Sequence, residues 1–131
     1  MDNTETYIKM CDCPEIQGMW EYNYGDWYFR MYYGTSKWRR IYVNQCIGGL
    51  SGGERIERKS LWLPRQDQLQ EMVLKYWWED EQPGNNISVM LQKFDWWLND
   101  TCPNNPSMEQ LWLAFVMKEL YQKLWTGTGW Q

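Results

Sequence analysis

The spacing of apolar residues changes at Pro64, and this change constrains the fold more than any other feature of the sequence. Before Pro64, aromatic and β-branched residues alternate with polar ones in short segments that glycines interrupt. After Pro64, apolar residues recur every three or four positions. The first pattern is typical of strands and the second of helices. Strands followed by helices, with no regular alternation of the two, predict an α+β fold in which helices pack on one face of an antiparallel sheet.

Four segments of the N-terminal half have the composition of strands. They are residues 19–24, 27–33, 38–43 and 58–63. We therefore predict a small antiparallel sheet of three to four strands, with a tight turn at Gly25-Asp26. In the second segment Trp27 and Phe29 share one face, and Tyr28 and Arg30 share the other. This alternation predicts a sheet that is covered on one side and solvated on the other.

Three helices are predicted in the C-terminal half. The first covers about residues 65–79, and its apolar stripe consists of Leu69, Met72, Val73, Tyr76 and Trp77. The second is expected to end near Asn99, and its stripe consists of Ile87, Met90, Leu91, Phe94, Trp97 and Leu98. Ser107 and Gln110 have the spacing of a capping box, in which both side chains bond backbone amides at the start of a helix. The third helix is expected to begin there and to stop at Gly127.

A chain of 131 residues is predicted to form a single domain spanning residues 1–131. Residues 48–53 contain four glycines and are expected to form a flexible loop. A phosphate-binding loop is the functional alternative, but the segment lacks the Gly-Lys-Ser/Thr ending of a P-loop. The pattern favours a plain connector.

Large aromatic rings are expected to build most of the core. The chain has 11 Trp, 9 Tyr and 3 Phe, whereas Ala114 is its single alanine. Each ring can bury about 150 to 250 Å². The composition therefore favours rings that fill the space between sheet and helices over rings that line a reactive site.

The absence of histidine argues against an enzyme. It removes the usual general base near neutral pH, the common nucleophile pairs and the commonest nitrogen ligand of zinc. Asp67 and Glu71 lie one helical turn apart and leave a carboxylate mechanism open, although such acids on a helix surface are usually solvated. No cofactor motif is present, and we predict no cofactor.

Four cysteines are weak candidates for a metal site. They are Cys11, Cys13, Cys46 and Cys102. Structural zinc sites generally use two pairs of closely spaced cysteines, and here only Cys11 and Cys13 are close in sequence. The spacing favours free thiols, so we predict no bound metal.

The formal net charge of −4 argues against a general duplex-DNA binder. The charge is uneven, because residues 64–131 hold nine acids and five bases and so carry the whole excess. No apolar run approaches the roughly 18 to 20 residues that cross a bilayer. The polar start of the sequence is unlike a signal peptide, so we expect the protein in the cytoplasm of its cell.

One stretch of the sequence resembles a known group of proteins. Residues 61–72, Leu-Trp-Leu-Pro-Arg-Gln-Asp-Gln-Leu-Gln-Glu-Met, are similar to a motif of short phage and prophage proteins of unknown function. Residues 15–17, 25–27 and 109–117 fit the same pattern in the same order, ahead of Trp125. The resemblance implies a phage or prophage setting, with the cytoplasm of the host cell as the location. It implies no catalytic residue or cofactor.

Two groups of residues are candidate binding surfaces. On the sheet, four aromatic rings could stack on the nucleobases of a single-stranded nucleic acid: Tyr28, Tyr32, Trp38 and Tyr42. The basic side chains that could hold its phosphates are Arg30, Lys37, Arg39 and Arg40. The alternative for these rings is the core. At the start of the first long helix lies a polar run of Arg65, Gln66, Asp67, Gln68 and Gln70. This run is either a recognition surface or a capped, solvated helix start.

The sequence therefore predicts a small non-enzymatic accessory protein that works by binding a macromolecule. A phage or host protein is the expected partner, because Trp, Tyr and Arg dominate protein interfaces. A single-stranded nucleic acid is the alternative. A second copy of the chain is also compatible with the sequence.

Overall fold

The computed structural model describes residues 1–21, 23, 25–32, 58–79, 86–101 and 106–131. Its elements, in chain order, are α1 (Glu5–Cys11), α2 (Pro14–Gln17), β1 (Trp27–Tyr32), β2 (Arg58–Leu63), α3 (Gln66–Glu79), α4 (Ile87–Thr101) and α5 (Met108–Tyr121). The mixed helix-and-strand character is thus confirmed. Three to four strands are not confirmed, because the described residues contain two.

The described residues form two compact units. Unit 1 comprises Met1–Met10 and Arg65–Gln131, and unit 2 comprises Cys11–Pro64. The single domain over residues 1–131 stays a prediction. The segments at 38–43 and 48–53, predicted as a strand and as a flexible loop, lie outside the described residues.

The first predicted strand, residues 19–24, is wrong over its described part. Instead of pairing with a strand, the chain leaves α2 through turn hydrogen bonds, in which the Met19 amide donates to the Ile16 carbonyl. The carboxylate of Asp26 then accepts from the Trp20 indole at 3.1 Å and from the Asn23 amide at 3.0 Å. Alternation of aromatic residues predicted the strand, but these local bonds to Asp26 give the backbone another conformation.

The sheet of unit 2 is an antiparallel pair of β1 and β2. Trp27 lies opposite Leu63 and Tyr32 opposite Arg58. The predicted solvated face is wrong at the described end of this sheet, because Tyr28 and Phe29 point to opposite faces and are only 8% and 3% exposed. Both faces are therefore covered there.

The side chain of Gln17 forms hydrogen bonds with the edge of β2 that does not face β1. The Gln17 amide oxygen accepts from the Trp62 backbone N–H at 2.8 Å, and its nitrogen donates to the Trp62 carbonyl at 3.0 Å. The same nitrogen donates to the Cys11 carbonyl at 2.8 Å. Gln17 thus replaces a neighbouring strand at this position and satisfies backbone groups that an open edge would leave unpaired.

The three predicted long helices are confirmed in unit 1, where aromatic rings join α4 to α5. Phe94 stacks on Trp112 with ring centroids 3.9 Å apart and an angle of 6° between the planes. Phe115 meets both rings edge-on. Helix α3 packs against α5, with Leu69 and Val73 of its predicted stripe fully buried, whereas Tyr76 of the same stripe is exposed. The expectation that rings fill the core therefore holds for this cluster.

The carboxylate of Asp2 joins the starts of α1 and α5. One oxygen accepts from the Thr4 amide at 2.8 Å, ahead of α1. The other accepts from the Ser107 hydroxyl at 2.5 Å and from the Gln110 side chain at 2.6 Å. The predicted capping box is therefore only half correct. The Ser107 hydroxyl accepts from the Gln110 backbone amide, but the Gln110 side chain donates to Asp2 instead of bonding the Ser107 backbone. A charged acceptor makes a stronger hydrogen bond than a neutral one, which explains the difference.

These hydrogen bonds control the ionisation of Asp2. Burial raises the pKa of its carboxyl, but hydrogen bonds from Ser107, Thr4 and Gln110 outweigh burial and hold the pKa below its ordinary value of 3.8. The ionised form is therefore favoured in the folded protein. The positive ends of two helix dipoles favour the same charge.

Helix α5 ends before the predicted stop at Gly127. Gln122 adopts the left-handed conformation, with φ 54° and ψ 37°, and its amide donates to carbonyls of the last helical turn. The chain then forms a short hairpin in which Trp125 pairs with Trp130, and Gly127 has a positive φ in its turn. Gly127 is thus a hairpin residue, and the prediction that it ends the helix is wrong.

Replacing Asp2 by Asn should destabilise the protein in a pH-dependent way. Because the folded-state pKa is lowered, the stabilisation from Asp2 is present above pH 3.8 and is lost as the pH falls through the folded pKa. We expect Asp2→Asn to lower the free energy of unfolding at pH 7 by about 1 to 3 kcal/mol, a difference that shrinks under acid conditions. Urea denaturation across a pH series measures this. Asp95→Asn, at an exposed site on α4, is the control; equal effects of the two variants would contradict the assignment.

Replacing Gln122 by Gly should stabilise the protein. A residue with a Cβ atom in the left-handed conformation is strained by about 1 to 2 kcal/mol, and glycine removes that strain at some cost in unfolded-state entropy. We expect a net gain of about 0.5 to 1 kcal/mol in the free energy of unfolding. Gln122→Ala also removes the hydrogen bond from the side chain to the Glu119 carbonyl but keeps the strain. A glycine variant no more stable than the alanine variant would refute the explanation.

Candidate functional site

The predicted recognition run at the start of α3 is bonded within itself. The Arg65 guanidinium donates to both carboxylate oxygens of Asp67, at 3.0 and 3.2 Å. The Gln68 side-chain oxygen accepts from the Arg65 amide at 2.9 Å. The hydrogen bond from Arg65 lowers the pKa of the Asp67 carboxyl below 3.8. Gln66 and Gln70 are half-buried. This geometry is that of a capped helix start, and a partner carboxylate would have to displace Asp67 to use the Arg65 fork.

The carboxylate pair of Asp67 and Glu71 has little chemistry to offer. Asp67 is engaged by Arg65, and Glu71 is exposed on the next turn. A general acid needs a raised pKa, whereas the pKa of Asp67 is lowered.

Most of the predicted sheet surface lies outside what the structure describes. Lys37, Trp38, Arg39, Arg40 and Tyr42 belong to residues that are not described. Arg30 is in β1 opposite Ser60. Tyr28 is described and is buried, so its ring is not available to stack a base.

Two of the four cysteines are placed. Cys11 and Cys13 are buried, and the Cys13 backbone amide donates to the Cys11 carbonyl at 2.8 Å. Cys46 and Cys102 lie outside the described residues. Within the described ranges, no three cysteine or carboxylate side chains come together as a metal site would require.

Two tryptophans of unit 1 are displayed at the surface. Trp78, at the end of α3, is 83% exposed, and Trp96, on α4, is 60% exposed. The neighbouring rings Trp77 and Trp97 are buried. The sequence contained a signal for this difference, because Trp77 and Trp97 belong to the apolar stripes and Trp78 and Trp96 do not. We refer to Trp78 and Trp96 as the exposed tryptophan pair.

Helices α3 and α4, which carry this pair, contact each other. The Lys93 ammonium lies 4.5 Å from the centre of the Trp77 ring, a cation–π contact between the two helices. Trp78 follows Trp77 in the chain, and Trp96 lies about one turn after Lys93. Ile87 on α4 is also exposed. The helices that carry the pair are thus joined by a specific contact.

Charged groups of both signs lie near Trp96 on α4, and the basic one is Lys93, three residues before it. Asp95 precedes Trp96, and Asp100 lies four residues later, which places it on a neighbouring part of the helix surface. Both carboxylates are exposed. The surface at Trp96 therefore combines an apolar ring with a net negative charge.

The chain matches no protein-family model, no curated protein and no solved structure. Among the described residues, no helix is both long enough and apolar enough to cross a membrane.

Proposed function

We propose that this protein is a non-enzymatic accessory protein that binds another protein through the exposed tryptophan pair. The observation that carries the proposal is the 83% and 60% exposure of Trp78 and Trp96, whose chain neighbours Trp77 and Trp97 are buried. The resemblance of residues 61–72 to phage and prophage proteins supports a phage or host protein as the partner.

Burial of the exposed tryptophans would contribute favourable free energy to binding. Covering one such ring removes on the order of 100 Å² of apolar surface from water, which contributes about 2.5 kcal/mol at ~25 cal/mol per Å². Tryptophan is among the residues that most often dominate the energy of protein interfaces. Two of them on adjoining helices would form the anchors of an interface.

The charged groups near Trp96 are two acids, Asp95 and Asp100, and one base, Lys93, so their net charge is negative and favours one kind of partner. Asp95 and Asp100 would repel an acidic surface and attract a basic one. The partner is therefore expected to offer apolar contacts for the tryptophans and Lys or Arg at their rim. Single-stranded nucleic acid is less supported, because its phosphates would meet these acids and because Tyr28 is buried.

The test is capture of partners from the cell that carries the gene, with tagged wild-type protein and the double variant Trp78→Ala/Trp96→Ala. We expect one or a few proteins to be captured by the wild type and reduced at least tenfold with the double variant, which corresponds to about 1.4 kcal/mol. Light scattering on the purified protein detects a second copy of the chain as the partner.

The matched control is Lys75→Ala/Gln92→Ala, which changes exposed residues on the same two helices. It should capture the same proteins as the wild type, and circular dichroism should give all three proteins the same melting temperature. The proposal fails if the wild type is a monomer that captures nothing above bare resin. It also fails if the tryptophan variant captures as much as the control.

A further inference from the structure

Unit 1 contains a cavity of about 450 Å³ that none of the features above explains. Its apolar walls come from four parts of the unit: Met10 of α1, Trp97 of α4, Ala114 of α5, and Leu124 and Trp125 of the C-terminal hairpin. This volume lies within the roughly 300 to 1,000 Å³ of small-molecule sites, which are likewise mostly apolar with a few polar groups.

The hairpin wall of the cavity is held in place by specific bonds. The Trp125 and Trp130 rings contact each other with centroids 5.0 Å apart. The Trp130 indole donates to the Met10 carbonyl at 2.8 Å, which ties the hairpin to α1. A wall that is ordered before binding reduces the entropy lost when a ligand enters.

A fixed polar group stands at the cavity. Both hydrogens of the Gln110 side-chain amide are engaged, by Asp2 at 2.6 Å and by the Thr4 hydroxyl at 3.1 Å. This holds the amide in one orientation, and its oxygen accepts from no group in the described part of the chain. The Thr101 hydroxyl, also at the cavity, donates to the Trp97 carbonyl and keeps its capacity to accept. The cavity therefore offers hydrogen-bond acceptors to a ligand.

The wall ring Trp97 is one of three described tryptophans, with Trp62 and Trp112, whose indole nitrogen is buried without a hydrogen-bond partner in the described residues. A buried donor without a partner is costly, and such a group in a native protein is often associated with a ligand, a water or an ion.

The described lining residues carry no formal charge. The Asp2 carboxylate, which accepts a hydrogen bond from the Gln110 side chain, is a negative charge one residue beyond the lining. Transfer of an ionised ligand from water into this setting would be costly, and an anion would also be repelled by Asp2. The chemistry of the walls thus selects a neutral ligand.

We propose that this cavity binds a small, neutral aromatic molecule that carries a hydrogen-bond donor, of the phenol or indole type. The ring would lie between Trp97, Trp125 and the apolar side chains, and its O–H or N–H would donate to Gln110 or Thr101. This function goes beyond protein binding by the exposed tryptophan pair and does not depend on it.

The test is a titration of the protein with 4-methylphenol, followed through the indole N–H signals of its tryptophans in ¹H–¹⁵N NMR spectra. We expect saturable shifts of the Trp97 and Trp125 signals. The anionic analogue 4-hydroxybenzoate should bind at least tenfold more weakly. Ala114→Phe should weaken binding of 4-methylphenol at least tenfold without lowering the melting temperature, because the new ring occupies free volume.

Two controls separate this result from other causes. Gln92→Phe adds the same ring at an exposed site of α4 and should bind like the wild type, as should Trp78→Ala/Trp96→Ala. Ala114→Leu replaces the larger variant if Ala114→Phe does not fold. The proposal is overturned if 4-methylphenol gives no saturable shift. Equal affinity for the anionic analogue, or undiminished binding to both Ala114 variants, also overturns it.

Discussion

The stack of Phe94 on Trp112 is the contact on which the described structure of unit 1 depends. It joins α4 to α5 face to face, and Phe115 closes the cluster from its edge. Once these rings are buried, the orientation of α4 is set, so Trp97 must point inward and Trp96 outward. The same packing therefore produces both the core and one member of the exposed tryptophan pair.

A second constraint acts at the starts of two helices. Asp2 accepts hydrogen bonds ahead of both α1 and α5, so one buried carboxylate links elements that are more than 100 residues apart in the chain. Its link to Gln110 also holds the amide that stands at the cavity. Asp2 thus contributes both to the stability of the contact between α1 and α5 and to the polarity of the cavity.

The helices of unit 1 could be predicted because their signals are local. The stripes of α3 and α4 follow directly from the helical period, and they leave out the exposed Trp78 and Trp96. They also include three residues that the structure exposes, Tyr76, Ile87 and Leu91. Two of the features that were missed depend on partners distant in sequence. The Gln17 side chain bonds Trp62, 45 residues away, and the Trp130 indole bonds Met10, 120 residues away. No periodicity contains such information. The strand predicted at residues 19–24 failed for a different reason: local hydrogen bonds to Asp26 compete with the strand conformation that the alternation suggested.

We infer that the described tryptophans of unit 1 include rings that hold the fold together and exposed rings that are available for binding. Hydrogen exchange of the indole N–H groups, followed by NMR, tests this division in one experiment. The buried indoles of Trp97 and Trp112 should exchange only when the protein opens, whereas those of Trp78 and Trp96 should exchange at nearly the rate of a free indole. Protection of Trp96 equal to that of Trp112, or rapid exchange of Trp112, would contradict the account.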